Sequence, residues 1–424
     1  MSKYPEYNHE KSRAWFDRAL KTIPSGVYGH LGPSEGLFLP LDKWPLISSK
    51  AKGTYFWDMD GNRYLDLMCA YGPNVLGYGD PDVDRAAMEQ LLQGNCTTAP
   101  SYRMVECAEL LVDTVAMADW AFFMKNGTDA TTMAVLTARA ATGRKKTIFL
   151  RGYYHGNQPW AMKADYPGIL PEEVANNIVV PWFDVRALEE AYDANGGDVA
   201  ALIAQPYDHG NFADNRCASR EYWAQVREFC TKRGIVLIID DVRTGFRLDL
   251  AGSDHYYGFE ADLICFCKAL ANGYNLSVTC GKEALRTAAS SISFTGSYWM
   301  SAEPFAACIA CINKMKQLHT PELFRTIGTK LTTGFRQAAK EHGFDLVVSG
   351  EPALFYLRIA NDDSLMLHQE WVAECVSRGL FITSHHNHFI NAAITDQDIA
   401  LAVDIADDAF SVVAGRHPEL NLRK

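Results

Sequence analysis

No run of five or more basic residues occurs anywhere in the 424-residue chain. No uninterrupted apolar stretch approaches the ~18 residues that mark a membrane-spanning helix either. Lysine and arginine number 40 against 51 aspartates and glutamates, and the net charge of −11 is spread along the chain rather than gathered in a tail. Nucleic acids and anionic membrane surfaces recruit basic patches that displace counterions, so neither is an expected partner. The polar start, MSKYPEYNHEKSRAWF, lacks the apolar core of a secretory leader, which points to a cytoplasmic protein. Eleven scattered cysteines, an odd number, fit reduced thiols better than a disulfide framework. Cys265 and Cys267 read as small core hydrophobes, and the spacing of His385-His386-Asn387-His388 suits no zinc motif, so no metal is expected. That histidine run reads better as a loop over a pocket entrance. A dinucleotide-binding turn is missing as well, because Gly77-Tyr78-Gly79-Asp80-Pro81 lacks the third glycine and a strand before it.

What is present is a recurring unit: a short apolar run ending in a turn or polar residue, then a helix-like stretch. Residues 120–143 read as strand, glycine-containing loop and helix, with Met133, Leu136 and Ala140 as apolar helix positions. Residues 146–156, 201–210, 234–247 and 262–273 give four more strands, and 220–234 a helix with a glycine stop. Such alternation predicts an α/β fold whose mostly parallel sheet is sandwiched by helices. Residues 50–66 carry a hairpin signal around Asp60-Gly61-Asn62. The length predicts two domains: a large one over 61–300, a smaller α/β one over 301–424, and a segment over 1–60 packing with the smaller.

Functional side chains of an open α/β sheet collect at the carboxyl ends of its strands. Four such ends stand out: Asn126-Gly127-Thr128, Tyr154-His155-Gly156, Asp240-Asp241 and Lys268. Singly, each has a bland explanation, such as a helix cap or a lysine reaching for water. Together they form the set that pyridoxal 5'-phosphate (PLP) requires: a lysine for the Schiff base, a carboxylate against the pyridine nitrogen, an anion cradle and an aromatic stacking face. Asp240 follows four apolar residues, so burial is expected, and a buried carboxylate needs a cationic partner such as a pyridinium. The apolar residues before Lys268 would lower its pKa and favour Schiff-base and general-base chemistry. Gly127 and Thr128 open a helix whose free N–H groups suit a phosphate, and Tyr154 supplies the aromatic face.

From about residue 20 to about 412 the chain resembles the class III aminotransferases of fold type I, in particular the glutamate-1-semialdehyde aminomutase-like branch. Four motifs carry the resemblance: KGTYFWDMDGNRYLD from 52, FMKNGTDAT from 123, GYYHG from 152 and IIDDVRTGFR from 238, with a looser lysine segment, CKALANG, from 267. It implies a seven-stranded large domain and a homodimer that shares its active sites between subunits. Lys268 would form the Schiff base and Asp240 would pair with the pyridine nitrogen. Asn126, Gly127 and Thr128 would hold the phosphate, Tyr154 and Val242 would flank the ring, and His155 would border it. Tyr71, Tyr28 and Trp299 would line the substrate pocket, and Ser297 and Trp299 stand where the family reaches the neighbouring subunit's phosphate.

Three departures qualify the match. No arginine follows Gly26-Val27, Trp299 replaces a threonine, and Gln205 replaces a glutamate before Pro206. These features, with MCAYGPN at 68–74 and DDVR at 240–243, resemble a sub-branch acting on long-chain amino-polyols, the aminopentol type. The resemblance implies ping-pong transfer of an amino group from an amine donor, long-chain or free of carboxylate, to a 2-oxo acid such as pyruvate. Arg243 and Arg247 flank the cofactor strand, and one of them is a candidate for the acceptor carboxylate, with Arg247 the more easily read as structural. An aminomutase or racemase on the same scaffold is the alternative expectation.

Overall fold

The computed structural model describes residues 3–27 and 43–420. Among these, the strands in chain order are β1 Ser48–Lys52, β2 Tyr55–Asp58, β3 Arg63–Asp66, β4 Trp120–Met124, β5 Lys146–Leu150, β6 Asn177–Val180, β7 Val199–Ala204, β8 Val236–Asp240, β9 Leu263–Phe266, β10 Ser277–Gly281, β11 Leu346–Ser349, β12 Tyr356–Ile359 and β13 Leu380–Phe381. The chain divides into two compact units. One comprises residues up to Asp80, Gly210–Asn215 and the chain from Glu322 onward; the other comprises Pro81–His209 and Arg216–Pro321.

The first unit holds a sheet in the order β1-β2-β3-β13 and the antiparallel pair β11-β12. The hairpin read around Asp60-Gly61-Asn62 is present: Phe56 pairs with Tyr64 across β2 and β3, and Gly61 takes a φ of +89° in the turn. His385–His388 are buried here. No cluster of metal-ligating side chains occurs among the described residues. Nor is any described helix long and apolar enough to cross a membrane.

The second unit is built on a seven-stranded sheet, β4-β10-β9-β8-β7-β5-β6, in which only β10 runs against its neighbours. All five residues of β8 are buried. Each of its aliphatic side chains contributes about 1.5–3 kcal/mol relative to exposure. Met133, Ala134 and Ala138 of the helix Gly127–Thr142 pack on Phe149, Ile203, Ile238 and Cys265 from the sheet. The apolar stripe expected at Met133, Leu136 and Ala140 is only partly right, because Leu136 is half-buried and Ala140 exposed. The helix is wedged between the sheet and the helix Arg286–Ser291, so it is buried on more than one face and its periodicity blurs.

Two strands, β6 and β10, were not read from the sequence. In β10, polar Ser277 and Thr279 interrupt the apolar pattern, yet both are fully buried. The Thr279 hydroxyl donates to the Ala130 carbonyl at 2.9 Å, which satisfies a polar group inside the core. The helix Arg220–Arg233 ends at Gly234, which takes φ +59°, as its glycine stop predicts.

Candidate active site

Strands β4, β5, β7, β8 and β9 end on the same edge of the sheet, which gathers Gly127, His155, His209, Asp240 and Lys268 there. Val236 and Ile238 face the helix Gly127–Thr142, so Asp240, two residues on, turns to that same face. The Asp240 side chain is buried; its Oδ2 lies 2.7 Å from His155 Nδ1, and its Oδ1 accepts the Val242 amide at 3.1 Å. A carboxylate only accepts, so His155 Nδ1 carries the hydrogen. Asp241 faces the other way and accepts from the Thr244 hydroxyl and from the Ser253 amide and hydroxyl. It braces the turn after β8, and burial pushes its pKa up to about 7.

The loop after β4 is drawn tight. Asn126 donates its amide to the Asp129 carboxylate at 2.8 Å, an acidic group in the first turn of a 16-residue helix. Thr128 Oγ1 accepts the Asn157 amide at 3.2 Å, and the Thr131 hydroxyl donates to the His155 carbonyl at 2.7 Å. The phosphate-type loop and the Tyr-His-Gly turn are thereby one braced structure. Within that turn the two tyrosines part. Tyr153 packs beside Phe149 and stacks on His155, whereas Tyr154 stays 41% exposed, its hydroxyl donating to Asn157 Oδ1 at 3.1 Å. Gln205 Nε2 donates to the Tyr154 carbonyl at 3.4 Å, so the residue that departs from the family pattern steadies this turn.

Lys268 follows β9 after Cys267 and takes φ +36°, a left-handed conformation that costs a non-glycine residue about 1–3 kcal/mol. Its surroundings push its pKa down to about 7: burial first, then the positive charge of Arg243. Arg243 is 9% exposed and acts electrostatically on Tyr207, Asp240 and Tyr154. Arg247 is 1% exposed and enclosed in the turn. His209 was not singled out from the sequence. It is 3% exposed, its ring sits 4.1 Å from that of Tyr207, and neither ring nitrogen has a hydrogen-bond partner among the described residues. Burial and the charges of Arg243 and Lys268 hold its pKa well below the usual value. The only signal was its place just beyond β7, after Gln205-Pro206.

Ser297 is exposed, and Trp299 packs edge-on against Phe294 at 4.9 Å. Among the described residues no hydrogen bond joins either to Lys268, Asp240 or the Gly127–Thr128 loop. Tyr71 belongs to the first unit, edge-on to His386 at 5.5 Å. Tyr28 lies outside the described residues.

The donor set fits PLP: an amine deprotonated near neutral pH, a buried carboxylate, a helix N-terminus opened by glycine and an exposed aromatic face. The chain matches the family model "Aminotransferase class-III" over residues 40–410. It is 38% identical to the aminopentol aminotransferase of Sphingopyxis macrogoltabida over 397 residues, 94% of this chain and 93% of that protein. The glutamate-1-semialdehyde 2,1-aminomutase of Albidiferax ferrireducens is 29% identical over 444 residues, 96% of this chain and 99% of that protein. Among solved structures, the PLP internal aldimine form of the FumI protein from Sphingopyxis sp. MTA144 superposes with a TM-score of 0.92 at 37% identity, covering 96% of this chain and 97% of that one. The chain belongs to the class III aminotransferases and is a PLP-dependent enzyme of amino-group transfer.

Proposed function

We propose that the protein moves an amino group from a long-chain amine lacking an α-carboxylate to a 2-oxo acid such as pyruvate, in two half-reactions at one site. The observation that carries the site assignment is Asp240, held at 2.7 Å by His155 beside a lysine whose pKa is pushed down to about 7. The 38% identity to an aminopentol aminotransferase supports the donor class.

PLP, when bound, supplies an electrophilic carbon and a ring that withdraws electrons from the substrate carbon. Lys268 Nζ, unprotonated above about pH 7, would be the nucleophile that holds the cofactor. The same Nζ, when free, would be the base that moves the proton off the amine-bearing carbon. Asp240 would keep a proton on the pyridine nitrogen, and His155 fixes the carboxylate's orientation. The amides of Gly127 and Thr128 would take the phosphate at the helix N-terminus, with Asn126, whose own amide is held by Asp129, bordering it. Tyr154 and Val242 would flank the ring.

Tyr71 and Trp299 line the entry for the amine, and Ser297 and Trp299 stand at the border with a second subunit. The consecutive left-handed residues Cys69, Ala70 and Tyr71 support the role of Tyr71, because backbone strain of this kind collects at functional sites. Two copies of the chain form a cytoplasmic homodimer with shared sites, without a membrane or nucleic-acid partner. The apolar residues exposed on the helices Pro81–Gln93 and Tyr102–Thr114 support that assembly.

The test is the visible absorbance of the purified, cofactor-loaded protein, titrated with a panel of amines in the absence of any oxo acid. Bleaching of the yellow band by long-chain amines, restored by pyruvate, is the expected result. A band that no amine bleaches would favour an isomerase, and Lys268→Ala should remove the band's covalent form.

A further inference from the structure

The short helical turn Lys268–Ala271 begins and ends on left-handed backbone, at φ +36° for Lys268 and +46° for Asn272 just beyond it. Strain of this kind persists only where the surroundings fix it from several sides. The Leu270 amide donates to the Cys267 carbonyl at 2.8 Å, a tie within the turn. Two further ties reach outside it, and both are made by thiols. Cys267, the residue before the lysine, donates its Sγ–H to the Lys125 carbonyl at 3.9 Å. Cys311, on the helix Glu303–Leu318, donates to the carbonyl of Ala269, the residue after the lysine, at 3.5 Å. Lys268 is thus bracketed by two sulfur hydrogen bonds that lead to different elements.

The two bonds lead to places of different kinds. Lys125 immediately precedes Asn126-Gly127-Thr128, and between its strand β4 and the lysine's strand β9 lies β10, with Ser277 opposite Met124 and Val278 opposite Phe266. The Cys267 bond reaches past the start of β10 and joins the lysine turn to the phosphate-type loop. The Cys311 bond instead fixes the far side of the turn to a helix whose Phe305 packs edge-on against Phe123 at 5.0 Å. A thiol is a weak donor and donates only while it keeps its proton. Cys311 is fully buried, and burial pushes the Cys267 thiol above its ordinary pKa. The reading of Cys267 as a core hydrophobe does not hold: it is half-buried, and its sulfur has a partner at the edge of the site.

We propose that Cys267 and Cys311 are positioning residues that hold the Lys268 turn, so that its Nζ meets the cofactor in one fixed place. The assignment rests on Lys268 being the lysine that holds the cofactor, and it adds the two side chains that aim it.

The test separates capture by Lys268 from binding of the cofactor's ring and phosphate. Capture is the stopped-flow rate at which PLP added to cofactor-free protein raises the yellow band. Binding is equilibrium dialysis of pyridoxamine phosphate, which has the ring and phosphate but no aldehyde. Cys311→Val fills the thiol's place without a donor, so capture should slow about tenfold while pyridoxamine phosphate affinity stays within about twofold. Cys311→Ser keeps a donor and should recover most of the rate. Cys267→Val should slow capture and also weaken pyridoxamine phosphate, because its bond ends at the phosphate-type loop, and Cys267→Ser should recover both. Serine and valine variants that behave alike would overturn the assignment, since packing alone would then explain the thiols. Capture at the wild-type rate in Cys311→Val would do the same, as would equal losses of capture and of pyridoxamine phosphate affinity in that variant. If borohydride fixes PLP to Lys268→Ala as fully as to wild type, the reading of Lys268 fails instead, and the two failures are told apart.

Discussion

Gly127 and Val242 stand so close that a methyl group on Gly127 would come within 2.9 Å of a Val242 Cγ. They follow different strands, β4 and β8, so this contact fixes the spacing between the helix N-terminus and the valine assigned to the ring face. Gly156 plays the same part from a third direction: at φ +105° its Cβ position is already filled by Thr128. The loop is clamped where two neighbours leave no room for a side chain.

Gly127→Ala should therefore push the helix start away from Val242. Overpacking of this kind costs about 1–3 kcal/mol, and we expect cofactor affinity to drop by roughly tenfold or more. Val242→Ala alone removes the obstacle, so the double variant should recover part of the affinity lost in Gly127→Ala. Equilibrium dialysis of PLP against the four proteins measures the cycle. Strict additivity would show that the two residues do not couple and that the contact is not the cause.

His155→Phe keeps an aromatic ring beside Asp240 but removes the donor at 2.7 Å. The carboxylate then loses its orienting partner in a buried place, and the amine-driven bleaching rate should fall about 10²-fold. Stopped-flow absorbance reads this directly. Asp240→Asn, which removes the charge itself, should be worse; a His155→Phe protein as slow as Asp240→Asn would mean that His155 does more than orient.

The parts of this site that were legible in the sequence are those where chemistry forces an unusual residue onto a strand end. Asp240 after four aliphatic residues and Lys268 after β9 each have a bland explanation alone but few as a pair, and the structure puts both on one edge of the sheet. The sheet itself was legible where burial on both faces produces continuous apolar runs, as in β7 and β8. It failed at β10, where a threonine hydroxyl is satisfied internally by Ala130 and the strand looks polar. It failed at β6 for a different reason, since an edge strand with Val179 exposed needs only half the apolar pattern. His209 was missed because nothing local marks a buried imidazole: its meaning comes from Arg243 and Lys268, which are distant in sequence and were not paired with it.

The depressed pKa of Lys268 gives a stability signature in the protein without cofactor. The group titrates at about 7 in the folded state against 10.5 ordinarily, so between those values the unfolded chain binds more protons. Stability consequently rises with pH across that window, and the cost of a buried charged lysine is fully present only below about pH 7. Lys268→Met lacks this cost. Calorimetry of the cofactor-free proteins should find Lys268→Met melting above wild type at pH 6, with the gap narrowing steadily toward pH 9. A gap independent of pH would mean that Lys268 titrates as an ordinary exposed lysine.

Leu92 is 90% exposed at the end of the helix Pro81–Gln93, with Met88 and Leu91 also open on that helix. Tyr102, Val105 and Val112 stand open on the next one, Tyr102–Thr114. Apolar side chains grouped on consecutive helices are costly to leave in water, and a second copy of the chain would cover the same surface on both partners. A leucine buried in such an interface contributes about 1.5–3 kcal/mol, and a charge in its place reverses the sign, twice over because the interface is symmetric. Leu92→Glu should therefore shift the protein from twice the chain mass to the single-chain mass in sedimentation velocity at micromolar concentration. Amine-driven bleaching should fall with it, since the proposed sites are shared. Wild-type protein sedimenting as a single chain would remove the dimer from the proposal. A Leu92→Glu protein that stays at twice the chain mass would place the interface elsewhere.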